Sequence, residues 1–300
     1  MDKNRYSMYG IQIQEWLALK HGIKPLLRTV IQPDDVKNIE KLCREDGLFY
    51  IVKPFSQLYL TKFDSPVNVI YISKNKDLLE RAYQSEKSGS GSLGARKIVG
   101  ELLGYPSCCV EFYSEFFSQP YLKDTKFSIP IKTYSKTQGK PSFLVNNIFK
   151  LESRLSSKGL EEYQKNPDFA DRVSHLFLIS HVPCSYTCKE SIKMGREMLD
   201  LLEKEEPELA KEIVFRLKRP LLYFDDFNWL IFNGRVNGNT INYTSILPPL
   251  SLMPEGLVKK FREGSEVKVG KEFVDIFKNK ERVHRIKKKD KDNGILFNFS

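Results

Sequence analysis

The sequence has no apolar run near the roughly 18 residues that a membrane-spanning helix needs. Its best stretches, residues 176–179 and 229–232, have only the length of strands. No apolar segment follows Met1-Asp2-Lys3-Asn4-Arg5, so no secretory leader is expected. A soluble, cytoplasmic chain with no membrane partner is the expectation. No fixed-period repeat runs through it, which argues against solenoids and propellers. Cysteine and histidine are scarce, with five and four residues in a chain of 300. An odd cysteine count in a reducing compartment argues for metal ligation or thiol chemistry over a disulfide framework. Acidic residues are also in deficit, leaving a net charge of +10. That excess suits polyanionic partners such as RNA, DNA or phosphorylated substrates, or simply a lysine-rich surface.

Apolar residues make up 41% of the chain, enough for a sizeable core and too many for wholesale disorder. The apolar spacing predicts a helix over residues 11–20, a strand over 25–31 and a helix from Pro33 to about residue 44. Strands over 47–52 and 67–72 follow, and then a helix over 76–84. Cys43 lies beside Leu42 on the second helix and reads as a packed core residue. Residues 85–94 hold Gly89, Gly91 and Gly94 in the spacing G-x-G-x-x-G. They follow a charged helix rather than a strand, so a hinge is expected there, not a dinucleotide site. Helices are predicted over 95–103, with Gly104 just past the end, and from Pro106 to about 118. Residues 120–142 read as a long loop, and Asn146 and Asn147 in the apolar stretch after it read as helix caps in preference to amides that orient a ligand. Residues 151–170 read as helical, 175–180 as a strand, and 186–204 and 208–217 as helices.

After Pro220 the texture changes. Strands are expected over 229–232, 240–246, 267–269, 273–277 and 295–299, with turns at Asn233-Gly234 and Asn237-Gly238. The fold class expected is therefore α/β (α+β). A small α/β unit occupies residues 1–86, a helical domain 87–218 and a small β-rich domain 219–300. The densest basic run falls in the last of these, with Arg282, Arg285, Lys287, Lys288 and Lys289 as candidate contacts to RNA or DNA. A solvated hairpin or a lysine-protected edge strand explains the same run.

Four of the five cysteines lie just after a proline, in Gly104-Tyr105-Pro106-Ser107-Cys108-Cys109 and His181-Val182-Pro183-Cys184-Ser185-Tyr186-Thr187-Cys188. If both prolines open helices, Cys108, Cys109 and Cys184 lie in first turns, where the helix dipole favours thiolates. Cys184 and Cys188 would then share a helical face. Convergence of the two loops gives a candidate metal site of Cys184, Cys188 and one or both of Cys108 and Cys109, with His181 as a further candidate ligand. Adjacent on a helix, Cys108 and Cys109 point in different directions, so one is expected to ligate and the other to pack beside it. Such soft ligands suit zinc or an iron–sulfur cluster. A thiol oxidoreductase pair, a Cys/His nucleophile and structural cysteines remain open. Glu190 and Ser191 follow the second loop, the first a candidate general base and the second a candidate hydrogen-bond partner for a sulfur or a substrate; the polarity of an exposed helix face explains both equally well.

Residues 103–110 and 181–191 resemble a family of prokaryotic, largely archaeal proteins built on a domain of unknown function, marked by G-Y-P-x-C-C and H-x-P-C-S-x-x-C. The resemblance covers residues 94–192. It implies that Gly104, Tyr105 and Pro106 belong with the cysteines, and it names no reaction. The expected function is a metalloprotein with a redox or nucleic-acid-modifying role, or else a nucleic-acid-binding protein with structural cysteines.

Overall fold

The computed structural model describes residues 7–55, 67–89, 92–117, 128–150, 175–248 and 252–300. It is a mixed α/β fold with a β-rich C-terminal region, and it divides into two compact units. The first comprises Met1–Thr125, Leu178–Cys184 and Cys188–Ala210; the second comprises Lys126–Phe177, Ser185–Thr187 and Lys211–Ser300.

In the first unit a short ribbon, β1 (Ser7–Met8) and β2 (Ile11–Gln12), leads into α1 (Ile13–Lys20). Strand β3 (Leu26–Ile31) follows, then α2 (Val36–Glu45), β4 (Phe49–Pro54) and β5 (Asn68–Ser73). The three longer strands form an antiparallel sheet of order β3-β5-β4. Alternation along central β5 sends Ile70 and Ile72 to one face and Val69 and Tyr71 to the other. Trp16, Leu19, Ile39 and Cys43 from α1 and α2 cover the first face. Helices α3 (Lys76–Gly89) and α4 (Leu93–Leu102) cover the second through Leu79, Ala82, Val99 and Leu102. With both faces covered, β5 reads as an unbroken apolar run in the sequence. Cys43 is fully buried in this core, as expected, and burial pushes its thiol up to about 12.

Helix α4 ends in a pair of reverse bonds. Gly104 N–H donates to the Glu101 carbonyl and Tyr105 N–H to that of Gly100. Gly104 adopts φ +78°, as expected of a residue that terminates a helix in the left-handed region. A Cβ there would lie 2.7 Å from Pro25 Cδ, so both conformation and space require glycine. Helix α5 (Ser107–Phe117) starts directly after Pro106 and packs close to α4. A Cβ on Gly100 would stand 3.0 Å from Val110. The last helix of the unit is α7 (Lys189–Glu205), which packs on α1.

The second unit contains α6 (Ile129–Ser135) and a seven-stranded antiparallel sheet of order β11-β10-β9-β8-β7-β6-β12. Its strands are β6 (Leu221–Tyr223), β7 (Trp229–Asn237), β8 (Thr240–Ile246), β9 (Glu266–Val269), β10 (Phe273–Lys278), β11 (Glu281–Lys287) and β12 (Ile295–Phe297). Helix α9 (Glu255–Arg262) buries Val258 and Phe261 against one face, in the same cluster as Ile241, Val267, Val274 and Ile276. Helix α8 (Pro207–Leu217) contains the division between the units.

Several expectations are corrected. Residues 175–180 form no strand; they are buried in irregular chain. Their apolar run reports burial, which periodicity alone cannot distinguish from extended pairing. The helix expected from Tyr186 starts at Lys189, so Pro183 opens none and Cys184 lies outside any helix. Proline is tolerated at a first helical position but does not create one. The expected loop over 120–142 contains α6, with Pro130 in its first turn. Asn233-Gly234 is no turn: it sits inside β7 at a register shift, where a Gly234 Cβ would meet the Asn242 carbonyl at 2.2 Å. Asn146 does cap a helix end, that of the 3-10 turn Phe143–Val145, where its N–H donates to the Phe143 carbonyl; its Oδ1 accepts from Ile148 N–H and its Nδ2 donates to the Leu217 carbonyl. Gly89 ends α3, and Ser92 caps α4 by accepting from Ala95 N–H. The helix expected over 151–170 and Gly91 of the glycine-rich segment lie outside the described residues.

Candidate metal centre

All four clustered cysteines belong to the first unit. Cys108 and Cys109 occupy the first turn of α5, and Cys188 is the N-cap residue of α7. Cys184 approaches from the irregular segment before it. Both helices turn their partially positive ends toward the sulfurs, which favours negative charge there. The four sulfurs all lie within 4.8 Å of one another. Cys188 Sγ is 3.7 Å from Cys108 Sγ and 3.7 Å from Cys109 Sγ, and the two adjacent sulfurs stand 3.9 Å apart. Adjacent residues on a helix point in different directions, yet both sulfurs reach Cys188. The expectation that only one of them would join the set therefore gives way to a set containing both. All five cysteines are free thiols; Cys109 and Cys188 are buried and Cys108 is exposed.

The sulfurs are held from behind. Cys184 N–H donates to Cys109 Sγ at 3.3 Å, and Ser191 Oγ lies 3.2 Å from the same sulfur. His181 Nε2 stands 2.8 Å from Ser191 Oγ. His181 thus falls outside the sulfur set and reaches it through Ser191. Burial, and after it the ammonium of Lys24, holds the imidazole down at about 3, so His181 is neutral at physiological pH. The Tyr105 ring lies 5.1 Å from the imidazole. Its hydroxyl is 3.2 Å from Ser180 Oγ, which accepts from buried Lys24 Nζ at 2.9 Å. Lys24 in turn forms an ion pair with Glu15. Burial works against the Lys24 charge, and the Glu15 carboxylate outweighs it, so the ammonium is held above its ordinary range. Neither Lys24 nor Glu15 was singled out in the sequence, where nothing in their local spacing marks them. Of the alternatives left open for Ser191, the sulfur partner is the one observed, and the side chain is buried rather than exposed. His175, His21 and His284 lie elsewhere, beside Glu212, Glu205 and Glu263.

Hydrogen bonds from Cys109 and Cys184 hold the Cys188 thiol well below the usual range, against the effect of burial. The same contacts, with Cys184 and Cys188, push Cys109 up, and burial adds to this. For Cys184 the contact with Cys109 works downward; Cys188 and burial outweigh it and bring the thiol to about 12. This set of donors could hold a metal ion. The chemistry fits: a cation would pair with the Cys188 thiolate and replace the protons that Cys109 and Cys184 otherwise retain. No family model, curated protein or solved structure matches the chain.

Proposed function

We propose that this protein is a metalloprotein whose four cysteines hold one tetrahedral ion, with zinc the best fit. The observation that carries this reading is the sulfur spacing. Zinc–thiolate bonds of about 2.3 Å give a tetrahedron with an edge of about 3.8 Å. The three spacings among Cys108, Cys109 and Cys188, of 3.7, 3.7 and 3.9 Å, match that edge, and Cys184 Sγ lies within 4.8 Å of each. In a four-iron cluster each thiolate caps a different iron, so the sulfurs stand farther apart than around a single ion. An iron–sulfur cluster is therefore the weaker reading of the same ligands. Four protein ligands fill a tetrahedral shell and leave no position for water or substrate, which makes the ion structural rather than catalytic. It would tie the start of α5 to residues 184–188. The Cys184 N–H and the His181–Ser191 pair would orient Cys109, as outer hydrogen bonds do around metal-bound thiolates. The family resemblance of the two motifs agrees with this reading, since both motifs supply ligands, and it names no reaction.

The test is elemental analysis and acid-labile sulfide on protein purified without added metal. One zinc per chain without sulfide is the expected result. Iron with stoichiometric sulfide would move the assignment to a cluster. No metal, with all five thiols open to titration, would leave the thiol-redox reading instead.

A further inference from the structure

The seven-stranded sheet has a second face, which α9 does not cover, and strand register assigns its residues. Across β7, β8, β9 and β10, Val236, Ile241, Val267 and Ile276 are paired and face the core. Their sequence neighbours on each strand point the other way. There Arg235 pairs with Asn242, and Phe277 with Arg282 across a bulge. In the next row Lys268 pairs with Asp275, and Asp275 with Arg285; beyond it Phe273 pairs with Lys287. The five basic residues are exposed, and Phe273 and Phe277 are half-buried. Glu266 and Asp275 are the two carboxylates in these rows.

We propose that this face binds single-stranded RNA. Five cations against two carboxylates, three of the cations on the edge strand β11, give a positive surface suited to a phosphate backbone. Two phenylalanines flank Asp275 on β10, at every second residue and therefore on one side. Aromatic rings on a sheet surface stack on bases, and only unpaired strands offer base faces to them. Asp275 holds the Arg285 guanidinium with two bonds, at 2.7 and 3.1 Å. That guanidinium lies 4.7 Å from the Phe273 ring centre, which makes a flat cationic stack on which a base can rest. Thr240 and Asn242 place hydrogen-bonding groups on the same face of β8, two strands from β10, where they can meet ribose hydroxyls farther along a bound strand, and these hydroxyls distinguish RNA from DNA.

The test uses the full chain and a fluorescein-labelled 12-nucleotide oligouridylate in fluorescence anisotropy. Binding is expected to weaken steeply with salt. In Arg282→Gln/Lys287→Gln the slope of log affinity against log salt should be shallower by about 1.4. Phe277→Leu should weaken binding by roughly five- to a hundredfold. Lys259→Gln/Lys260→Gln removes the same charge from exposed positions on α9, which covers the opposite face of the sheet, and should change little. Circular dichroism establishes that each variant folds; if Phe277→Leu does not, the two charge variants decide. No binding at low salt would overturn the proposal. So would equal losses in the two charge variants, or binding of the matching DNA strand or of duplex RNA as tight as that of the oligouridylate.

Discussion

Cys43 and Cys109 carry the same side chain and are both buried, yet they should respond oppositely to serine. Cys43 packs in the apolar cluster of Ile39, Leu48 and Ile70. Cys43→Ser should cost about 1–3 kcal/mol in urea unfolding and leave metal content unchanged. Cys109→Ser or Cys188→Ser removes a sulfur from a set in which each is within 4.8 Å of all the others. Either should abolish stoichiometric metal binding, read by elemental analysis. His181 supplies a pH dependence. It stands at about 3 in the fold against an ordinary 6.5. Between those values the unfolded chain takes up a proton that the folded chain refuses. Stability from this group is therefore complete above pH 6.5 and falls as the pH drops, by on the order of 3 kcal/mol at pH 4. Urea unfolding of wild type and His181→Gln at matched pH should show the shallower acid loss in the variant. Equal slopes would mean that the imidazole is not kept neutral by its surroundings.

Between elements, the α4–α5 corner sets where two of the four sulfurs stand. Gly104 reverses the chain, Pro106 starts the next helix, and two residues later come Cys108 and Cys109. Gly104→Ala meets two penalties: the left-handed conformation and a Cβ at 2.7 Å from Pro25. The expected cost is about 2–4 kcal/mol. Because the displacement passes into α5, metal affinity should fall as well. Measuring zinc affinity by competition with a chelator separates the two effects: a stability loss with unchanged affinity would show that the corner does not position the sulfurs. This corner was legible in the sequence, since glycine, proline and cysteine are local signals with local causes. The second cysteine segment was not. Pro183 suggested a helix start, and the chain stays irregular to Cys188 because its shape is set by what its buried side chains meet.

For the whole molecule, the ion would join segments about eighty residues apart, since Cys108 and Cys188 are separated by 80 positions. A cross-link of that span restricts the unfolded chain strongly, and metal binding becomes folding free energy. Chelation should therefore raise hydrogen exchange in α5, in residues 178–188 and in the first turn of α7. Strands β7 to β10 lie outside the site and should keep their protection. Uniform loss of protection across the chain would argue that the ion stabilises something other than this junction.

The sequence by itself determined the elements whose causes are local. Apolar runs specified β3 to β5, β7 to β10 and β12, though the run over 175–180 is irregular; apolar spacing specified the helices α1 to α5, and Gly104 the end of α4. It also marked the site's residues, because four scarce cysteines after two prolines stand out before any folding is considered. It could not determine their geometry. Whether Cys108 and Cys109 both reach Cys188, whether His181 meets a sulfur or Ser191, and whether Lys24 and Glu15 stand behind Tyr105 depend on contacts between distant segments. The same division applies to the basic C-terminal run. Its charge is composition, but its place beside Phe273 and Phe277 on one face is a matter of strand register, and only the folded sheet sets that.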